Sequence, residues 1–173
     1  FKRFRSRGCR IDILPIPSQY KAADKLVQKA RATMGINPYY PDEGDVIWCV
    51  FDRDENTEEM LIKAEQTAKK EGYRIAFSNP GFEFWYLLHF TEYNSFLEDC
   101  QAVLQQLKKK GRLKQYEKNK DIYDELLPYQ KVAKQRACKQ LEKLRREQQR
   151  IISRKSNPVT TVGELTSYLN ERR

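Results

Sequence analysis

Apolar residues occur in short runs along the first half of the chain, separated by segments in which they recur every three or four positions. The run DVIWCVF at residues 45–51 is continuous rather than alternating, which predicts a central strand covered on both faces. Two shorter runs, at residues 11–16 and 73–77, are bounded by turn residues and also predict strands. Strands that alternate with helical segments are typical of a parallel sheet with right-handed crossovers.

Helical spacing fills the segments between these strands. Residues 20–34 and 57–70 each have apolar positions on one side of a helix. A third helix is predicted at residues 81–90, with Asn79 as its N-cap and Pro80 at its first position. The predicted buried face of the first helix consists of Ala23, Leu26, Val27 and Ala30.

The second half of the chain has a different character. Residues 95–110, 130–150 and 161–169 all have helical spacing, and we predict no further strand there. We therefore expect an α/β core with a Rossmann-like parallel sheet in residues 1–94, and a basic helical extension packed on it in residues 95–173.

The charge is also unevenly distributed. The chain has 173 residues and a net charge of +9, but residues 1–10 carry +5, residues 11–100 carry −7 and residues 101–155 carry +11. Such asymmetry indicates an anionic partner such as nucleic acid, although a solvated helix surface would give the same pattern. The candidates for contacts with a nucleic-acid backbone are Lys108, Lys109, Lys110, Arg112, Lys139, Lys143 and Arg146.

The composition argues against several other classes of protein. No run approaches the roughly 18–20 apolar residues of a membrane span, and no apolar signal-peptide core opens the chain. The chain has four cysteines and one histidine, and no two of the cysteines have CxxC spacing. The cysteines are Cys9, Cys49, Cys100 and Cys138. We therefore predict neither a zinc site nor a disulfide framework, and we expect a soluble protein of the cytoplasm with no membrane association.

Two carboxylates, Asp52 and Asp54, directly follow the strand at residues 45–51. The carboxyl edge of an α/β sheet is where ligands bind, and residues two apart on an extended backbone project to the same side. The pair can therefore share one cation, and oxygen ligands suit Mg²⁺ or Mn²⁺. Arg53, between them, is a candidate for contact with a substrate phosphate. The alternative is an ordinary acidic turn that caps the next helix.

A second polar group follows the strand at residues 73–77. Ser78 and Asn79 lead into a helix whose N-terminus favours phosphate, so both are candidates for substrate binding. Glu83 is a third metal ligand or a general base, or else it only stabilises the helix dipole. His89 lies about 120° around the helix from Glu83, and it is either an acid–base catalyst or a hydrogen-bonded core residue.

Three stretches of the chain, VIWCVFDRDE, SNPGFEFWYLLHF and NPVTTVGEL, resemble the RloB-like family of bacterial defence and abortive-infection proteins. The resemblance implies a relation to the Toprim fold, a compact parallel α/β domain in which a glutamate and a DxD motif surround Mg²⁺. The DxD motif corresponds to Asp52 and Asp54. The family's recurrent polar residues correspond to Ser78, Asn79, Glu83 and His89.

The same resemblance implies a function, namely a Mg²⁺-dependent nuclease of an anti-phage system that acts on DNA or RNA in the bacterial cytoplasm. It implies Glu83 or His89 as the general acid or base, and an ATPase of the ABC/AAA type as a partner. Family members begin with a strand and an EGxxTE-like segment that this sequence lacks, so we expect either an N-terminally truncated chain or one whose start is disordered, and one metal ligand to be missing. The competing hypothesis is a non-catalytic module that binds nucleic acid or the ATPase through its basic helical region.

Overall fold

The structure is a computed structural model, and it describes residues 1–5, 10–14, 21–33, 38–109, 112–118 and 120–172. In this part of the chain a small open sheet carries helices on both faces, so the fold is mixed α/β. This confirms the predicted α/β class, while the relation to the Toprim fold stays a prediction.

The sheet has three strands in the order β1-β2-β3. β1 and β2 are parallel, and their register places Asp52 beside Ser78 at the carboxyl edge. β2 and β3 are antiparallel, and Ser78 lies opposite Thr160. The strands are β1 Trp48–Asp52, β2 Arg74–Asn79 and β3 Val159–Thr160.

Three predictions about the sheet are therefore wrong. The sheet is mixed rather than parallel, and β2, not β1, is its central strand among the described residues. In β1 the side chains of Cys49 and Phe51 are buried but Val50 is 37% exposed, so the continuous apolar run does not reflect burial on both faces. β3 was not predicted because a strand of two residues is too short to have a recognisable period.

Two local predictions also differ from the structure. Residues 11–14 form no strand, and residues 15–16 lie outside the described residues. Asn79 is not a helix N-cap, because β2 continues through it and the helix begins only at Glu83. The side chain of Asn79 instead reaches backbone carbonyls of a distant loop.

The helices otherwise follow the predicted spacing. The second one begins after Thr57, whose hydroxyl accepts a hydrogen bond from the amide of Met60, and ends at Gly72, which has a φ of +72°. The α-helices of the described ranges are α1 Ala23–Thr33, α2 Glu58–Glu71, α3 Glu83–Phe90, α4 Cys100–Leu107, α5 Tyr123–Leu126, α6 Gln130–Arg146 and α7 Val162–Glu171.

The sheet separates two hydrophobic clusters. Adjacent residues of β2 show this arrangement, because Phe77 joins the cluster formed with α1 and α2, and Ala76 joins the cluster formed with α3 to α7. The predicted apolar face of α1 is buried as expected. β3 belongs to the sheet although it lies in the second half of the chain, and the proposed division at residue 94 stays a prediction.

No helix in the described ranges combines the length and apolar content needed to cross a membrane. Cys49, Cys100 and Cys138 are free thiols, and Cys9 lies outside the described residues.

Candidate active site

The turn after β1, residues 52–56, is held in place by backbone and amide hydrogen bonds. The amide of Arg53 donates to the carbonyl of Ser78 at 2.8 Å, which ties the turn to the end of β2. The Asn56 side chain donates to the carbonyl of Asp52 at 3.0 Å and accepts from the amide of Ala23 at 2.7 Å. Asp52 and Asp54 therefore lie on a fixed backbone.

Arg154 secures the same turn from the other half of the chain. Its guanidinium Nη1 donates to the carbonyl of Asn56 at 2.6 Å and to that of Asp54 at 3.4 Å. Asp54 has a φ of +32°, a left-handed conformation that aspartate tolerates better than most residues. The guanidinium of Arg154 thus contacts the main-chain carbonyls of the turn, while the Asp54 side chain is exposed.

Three carboxylates interact at this edge of the sheet, and we call Asp52, Asp54 and Glu83 the acidic cluster. Burial raises the pKa of Asp52 to about 7, against the effect of a hydrogen bond from the backbone of Phe82. The negative charges of Asp54 and Glu83 raise this pKa further, and the positive charge of Lys118 opposes them. The cluster therefore holds negative charge at a free-energy cost that a bound cation would reduce.

Glu83 is the most buried member of the acidic cluster, with 5% of its surface exposed. The hydroxyl of Tyr116 donates a hydrogen bond to Glu83 Oε1 at 3.4 Å. Burial, followed by the charge of Glu83, raises the pKa of Tyr116, so this hydroxyl stays a proton donor at neutral pH. The geometry thus fixes one oxygen of Glu83 from the side of the 112–118 segment.

Cys100 borders the acidic cluster at the start of α4. Its thiol donates to the carbonyl of Pro80 at 3.7 Å, and burial together with the nearby carboxylates raises its pKa to about 11. A Cβ atom on Gly81 would overlap with the sulfur of Cys100, so this close approach requires glycine at position 81. The Asn-Pro-Gly sequence before α3 therefore serves tight packing behind Glu83.

Ser78 and Asn79 lie at the predicted edge, but their side chains point into the protein. The Ser78 hydroxyl is hydrogen-bonded to that of Thr160 at 3.0 Å. The Asn79 amide nitrogen donates to the carbonyls of Ser153, Arg154 and Ser156 at 2.9–3.1 Å, and we call this set of bonds the Asn79 network. Their predicted contact with substrate has no support in this geometry, because both side chains are buried and already bonded.

His89 lies at the other end of α3 and is 2% exposed. Its Nδ1 is 2.9 Å from the carbonyl of Trp85, and since a carbonyl only accepts, Nδ1 carries the proton. Burial lowers the pKa of His89 to about 4, and the charge of Arg136 lowers it further, against the hydrogen bonds to the backbone. The structure therefore does not place His89 with the acidic cluster, and the imidazole is neutral at pH 7.

The predicted basic contacts fall into two groups. Lys108, Lys109 and Arg112 follow α4, and Lys110 lies outside the described residues. A second group is exposed on α6, opposite the buried side chains of that helix. It consists of Lys139, Lys143 and Arg146.

Arg53 is half-buried and contacts the segment that precedes α4. Its guanidinium donates to the carbonyl of Glu98 at 3.0 Å. Its Nε is buried and has no hydrogen-bond partner among the described residues. The predicted phosphate contact by Arg53 therefore stays a prediction.

The acidic cluster fits a hydrated divalent cation in its donor chemistry. Its ligands are carboxylate oxygens, which Mg²⁺ and Mn²⁺ prefer, and Mg²⁺ commonly keeps several waters while binding one or two carboxylates. In the described part of the chain, no three His, Cys, Asp or Glu side chains are grouped closely enough to hold a metal on their own. The fit is thus to a cation held by Asp52 and Asp54, with the remaining positions taken by water or substrate.

Comparison with protein-family models shows which family the chain belongs to. The family model described as RloB-like protein matches residues 1–169. The chain belongs to the RloB-like protein family. This confirms the resemblance inferred from the three sequence stretches, and it extends the likeness over nearly the whole chain. No curated protein and no solved structure matches the RloB-like chain.

Four residues near the acidic cluster were missed by sequence reasoning. Tyr116 and Lys118 lie in a lysine-rich loop with no helical or strand period, so no pattern marked them. Cys100 was considered only as a possible metal or disulfide residue, and Arg154 only as part of a basic segment. The glycine at position 81, directly after Asn79-Pro80, is the only feature of the sequence that could have indicated close packing at this site.

Proposed function

We propose that this RloB-like protein is a Mg²⁺- or Mn²⁺-dependent nuclease that cleaves a phosphodiester of DNA or RNA in bacterial anti-phage defence. The observation that carries the proposal is the acidic cluster, in which burial and like charges hold the pKa of Asp52 near 7. A protein that keeps a half-buried carboxylate near other negative charges at the ligand edge of a sheet loses stability there, which is typical of a functional site. The defence role rests on the family resemblance.

In this proposal Asp52 and Asp54 would hold the cation. A divalent ion bound there would polarise the phosphodiester and stabilise charge that develops on its oxygens. The side chains of Asn56 and Arg154 donate to main-chain carbonyls of the turn, and these bonds hold the backbone of Asp52 and Asp54 in place before substrate arrives.

Glu83 is the general acid–base candidate that the geometry favours over His89. It belongs to the acidic cluster, and the Tyr116 hydroxyl orients its Oε1, which leaves Oε2 to take or give a proton. His89 is bonded to Trp85 and neutral, and it serves the packing of α3 in this proposal.

A second candidate function is a non-catalytic module that binds nucleic acid or an ABC/AAA-type ATPase. The observation that favours it is the basic face of α6, where Lys139, Lys143 and Arg146 lie at helical spacing on the exposed side. Lys139 is 4.0 Å from Glu92, so part of this charge is already compensated at the surface.

Cleavage assays on the full-length protein test the proposal. We expect Mg²⁺- or Mn²⁺-dependent cleavage of DNA or RNA to fall by about 100-fold or more in Asp52→Asn and in Asp54→Asn. Asp42→Asn, which changes an exposed carboxylate in the short 3₁₀ helix Pro41–Glu43, is the matched control and should keep wild-type cleavage. Equal cleavage by all four proteins would refute the metal role, and nucleic-acid binding without any cleavage would favour the binding module.

A further inference from the structure

A basic cleft lies beside the acidic cluster. It has a volume of about 290 Å³ and is lined by residues 112–116, Lys120 and Ile122, which lie between α4 and α5, and by Glu125 of α5. Its lining includes three cationic side chains, one carboxylate and the aromatic ring of Tyr116. The charged residues of this lining are Arg112, Lys114, Lys120 and Glu125.

The cations of the cleft are only partly used within the protein. Arg112 donates to the carbonyl of Gln106 at 2.7 Å, and Lys120 is 3.9 Å from Glu125 at an exposed position. Lys114 is exposed and forms no ion pair with the described residues. The cleft therefore keeps an excess of positive charge that can bind an anion.

Tyr116 connects the cleft to the acidic cluster. The residue is 9% exposed, lines the cleft, and donates its hydroxyl to Glu83 at 3.4 Å. Two positions later, Lys118 is close enough for its charge to act on both Asp52 and Cys100. One short segment thus presents cations to the solvent and contacts the carboxylates behind it.

We propose that this cleft binds a backbone phosphate of the nucleic-acid strand, next to the phosphodiester that lies over the acidic cluster. The proposal deepens the nuclease function proposed above and rests on it for the identity of the strand. Lys114 and Lys120 supply the charge, Arg112 supports them, and Tyr116 sets the distance between the cleft and Glu83. Binding here places the strand without requiring metal, because the contacts are made by ammonium and guanidinium groups.

The acidic cluster makes such a neighbouring site necessary. Three carboxylates repel a polyanion, so a strand needs cations close by to approach them. The basic face of α6 is less suited to this role, because it lies near the wrong end of α3. Lys139 approaches Glu92, which follows the C-terminal end of α3, whereas Glu83 of the acidic cluster is the first residue of that helix. The cleft adjoins Glu83 directly through Tyr116.

Fluorescence anisotropy with labelled 15-nucleotide single strands tests the proposal. The full-length protein is titrated in EDTA, so that neither metal binding nor cleavage affects the result. We expect the double variant Lys114→Gln, Lys120→Gln to bind about 10-fold more weakly near 100 mM salt, with a salt slope reduced by about 1.4. Parallel titrations with DNA and RNA strands distinguish the two sources of the phosphate.

Two matched pairs of neutralised lysines serve as controls. Lys69→Gln, Lys70→Gln removes the same charge at the opposite edge of the sheet, where α2 ends, and should keep binding within about twofold of wild type. Lys139→Gln, Lys143→Gln removes it from the face of α6.

Several outcomes would overturn the proposal. Wild-type affinity in the cleft variant, a larger loss in the α6 variant, or no binding of either strand by the wild-type protein would each do so. If the double variant does not fold, Lys114→Gln alone replaces it, since that exposed side chain forms no ion pair in the described part of the chain. A nuclease assay that fails while cleft-dependent binding persists would refute catalysis and leave the binding site standing.

Discussion

Two groups of polar side chains lie at the carboxyl ends of β1 and β2, and they differ in how their charges and hydrogen bonds are satisfied. In the Asn79 network, one buried amide bonds three backbone carbonyls, and Asn157 donates to the oxygen of the same amide at 3.3 Å. In the acidic cluster, the negative charges of Asp54 and Glu83 raise the pKa of Asp52 in addition to the effect of burial.

The difference separates residues that build the site from residues that act in it. A buried polar group whose bonds are all made within the protein stabilises the fold. A carboxylate kept near like charges destabilises it until a cation binds. We therefore expect mutations in the two groups to change stability in opposite directions.

The largest expected effect is that of Asn79→Ala. The change leaves the carbonyls of Ser153, Arg154 and Ser156 without their donor, so we expect a loss of about 3–4 kcal/mol in unfolding free energy. Denaturant unfolding measures it. Asn170→Ala, where an exposed amide makes one bond to Gln130, is the control and should cost less than about 0.5 kcal/mol. A small loss of unfolding free energy in Asn79→Ala would mean that the Asn79 network does not stabilise the fold and so does not differ from the acidic cluster in this way.

A second effect concerns His89, a buried titratable group away from the acidic cluster. Its pKa is lowered to about 4 from an ordinary 6.5, so the fold favours the neutral ring. The resulting stability is present above pH 6.5 and is lost as the pH falls towards 4, by up to about 3 kcal/mol. NMR titration is direct because the chain has one histidine. A midpoint near 6.5 would contradict the neutral, bonded imidazole.

Asp52→Asn should have the opposite sign to Asn79→Ala. The pKa of Asp52 is about 7 in the folded protein and 3.8 ordinarily, so ionisation destabilises the fold increasingly from pH 4 to 7. Because Asp52 is partly exposed, we expect the metal-free variant at pH 8 to gain only about 1–2 kcal/mol, or about 3–6 °C in Tm. Asp42→Asn should change Tm little. A less stable Asp52→Asn would mean that the carboxylate is compensated within the protein.

The smallest effect is expected for Tyr116→Phe, which keeps the ring and removes one hydroxyl. Loss of the bond to Glu83 should cost about 1 kcal/mol, because the donor serves a buried carboxylate. Tyr40→Phe, at a ring that is 52% exposed, is the control for the same chemical change. Equal stabilities of the two variants would indicate that Glu83 is not held from the side of the cleft.

The elements with a clear period could be predicted from the sequence. The buried face of α1 and the caps of α2 follow from local spacing and from the chemistry of Thr57 and Gly72. β3 could not be predicted, because its two residues are recruited by β2 across the chain. The burial of β1 was misread because a continuous apolar run does not reveal that the strand lies at an edge of the sheet formed by the described residues.

The candidate site was predictable to a similar extent. The carboxylates Asp52 and Asp54 stand next to a strand, and the sheet register brings them to its carboxyl edge. The roles of Asn79 and Arg154 depend on bonds between residues more than 70 positions apart, which no local pattern can show. The contact of Tyr116 with the acidic cluster could not be predicted for the same reason, since its partner Glu83 is 33 positions away.

Binding of Mn²⁺, followed by electron paramagnetic resonance, tests the central claim most directly, because it reports the cation without relying on cleavage. We expect the full-length wild-type protein to bind Mn²⁺, Mg²⁺ to compete for the site, and the Asp52→Asn, Asp54→Asn double variant to lose Mn²⁺ binding. Asp42→Asn should bind Mn²⁺ as the wild type does. Equal Mn²⁺ binding by the wild type and the double variant, or none by either, would contradict the account.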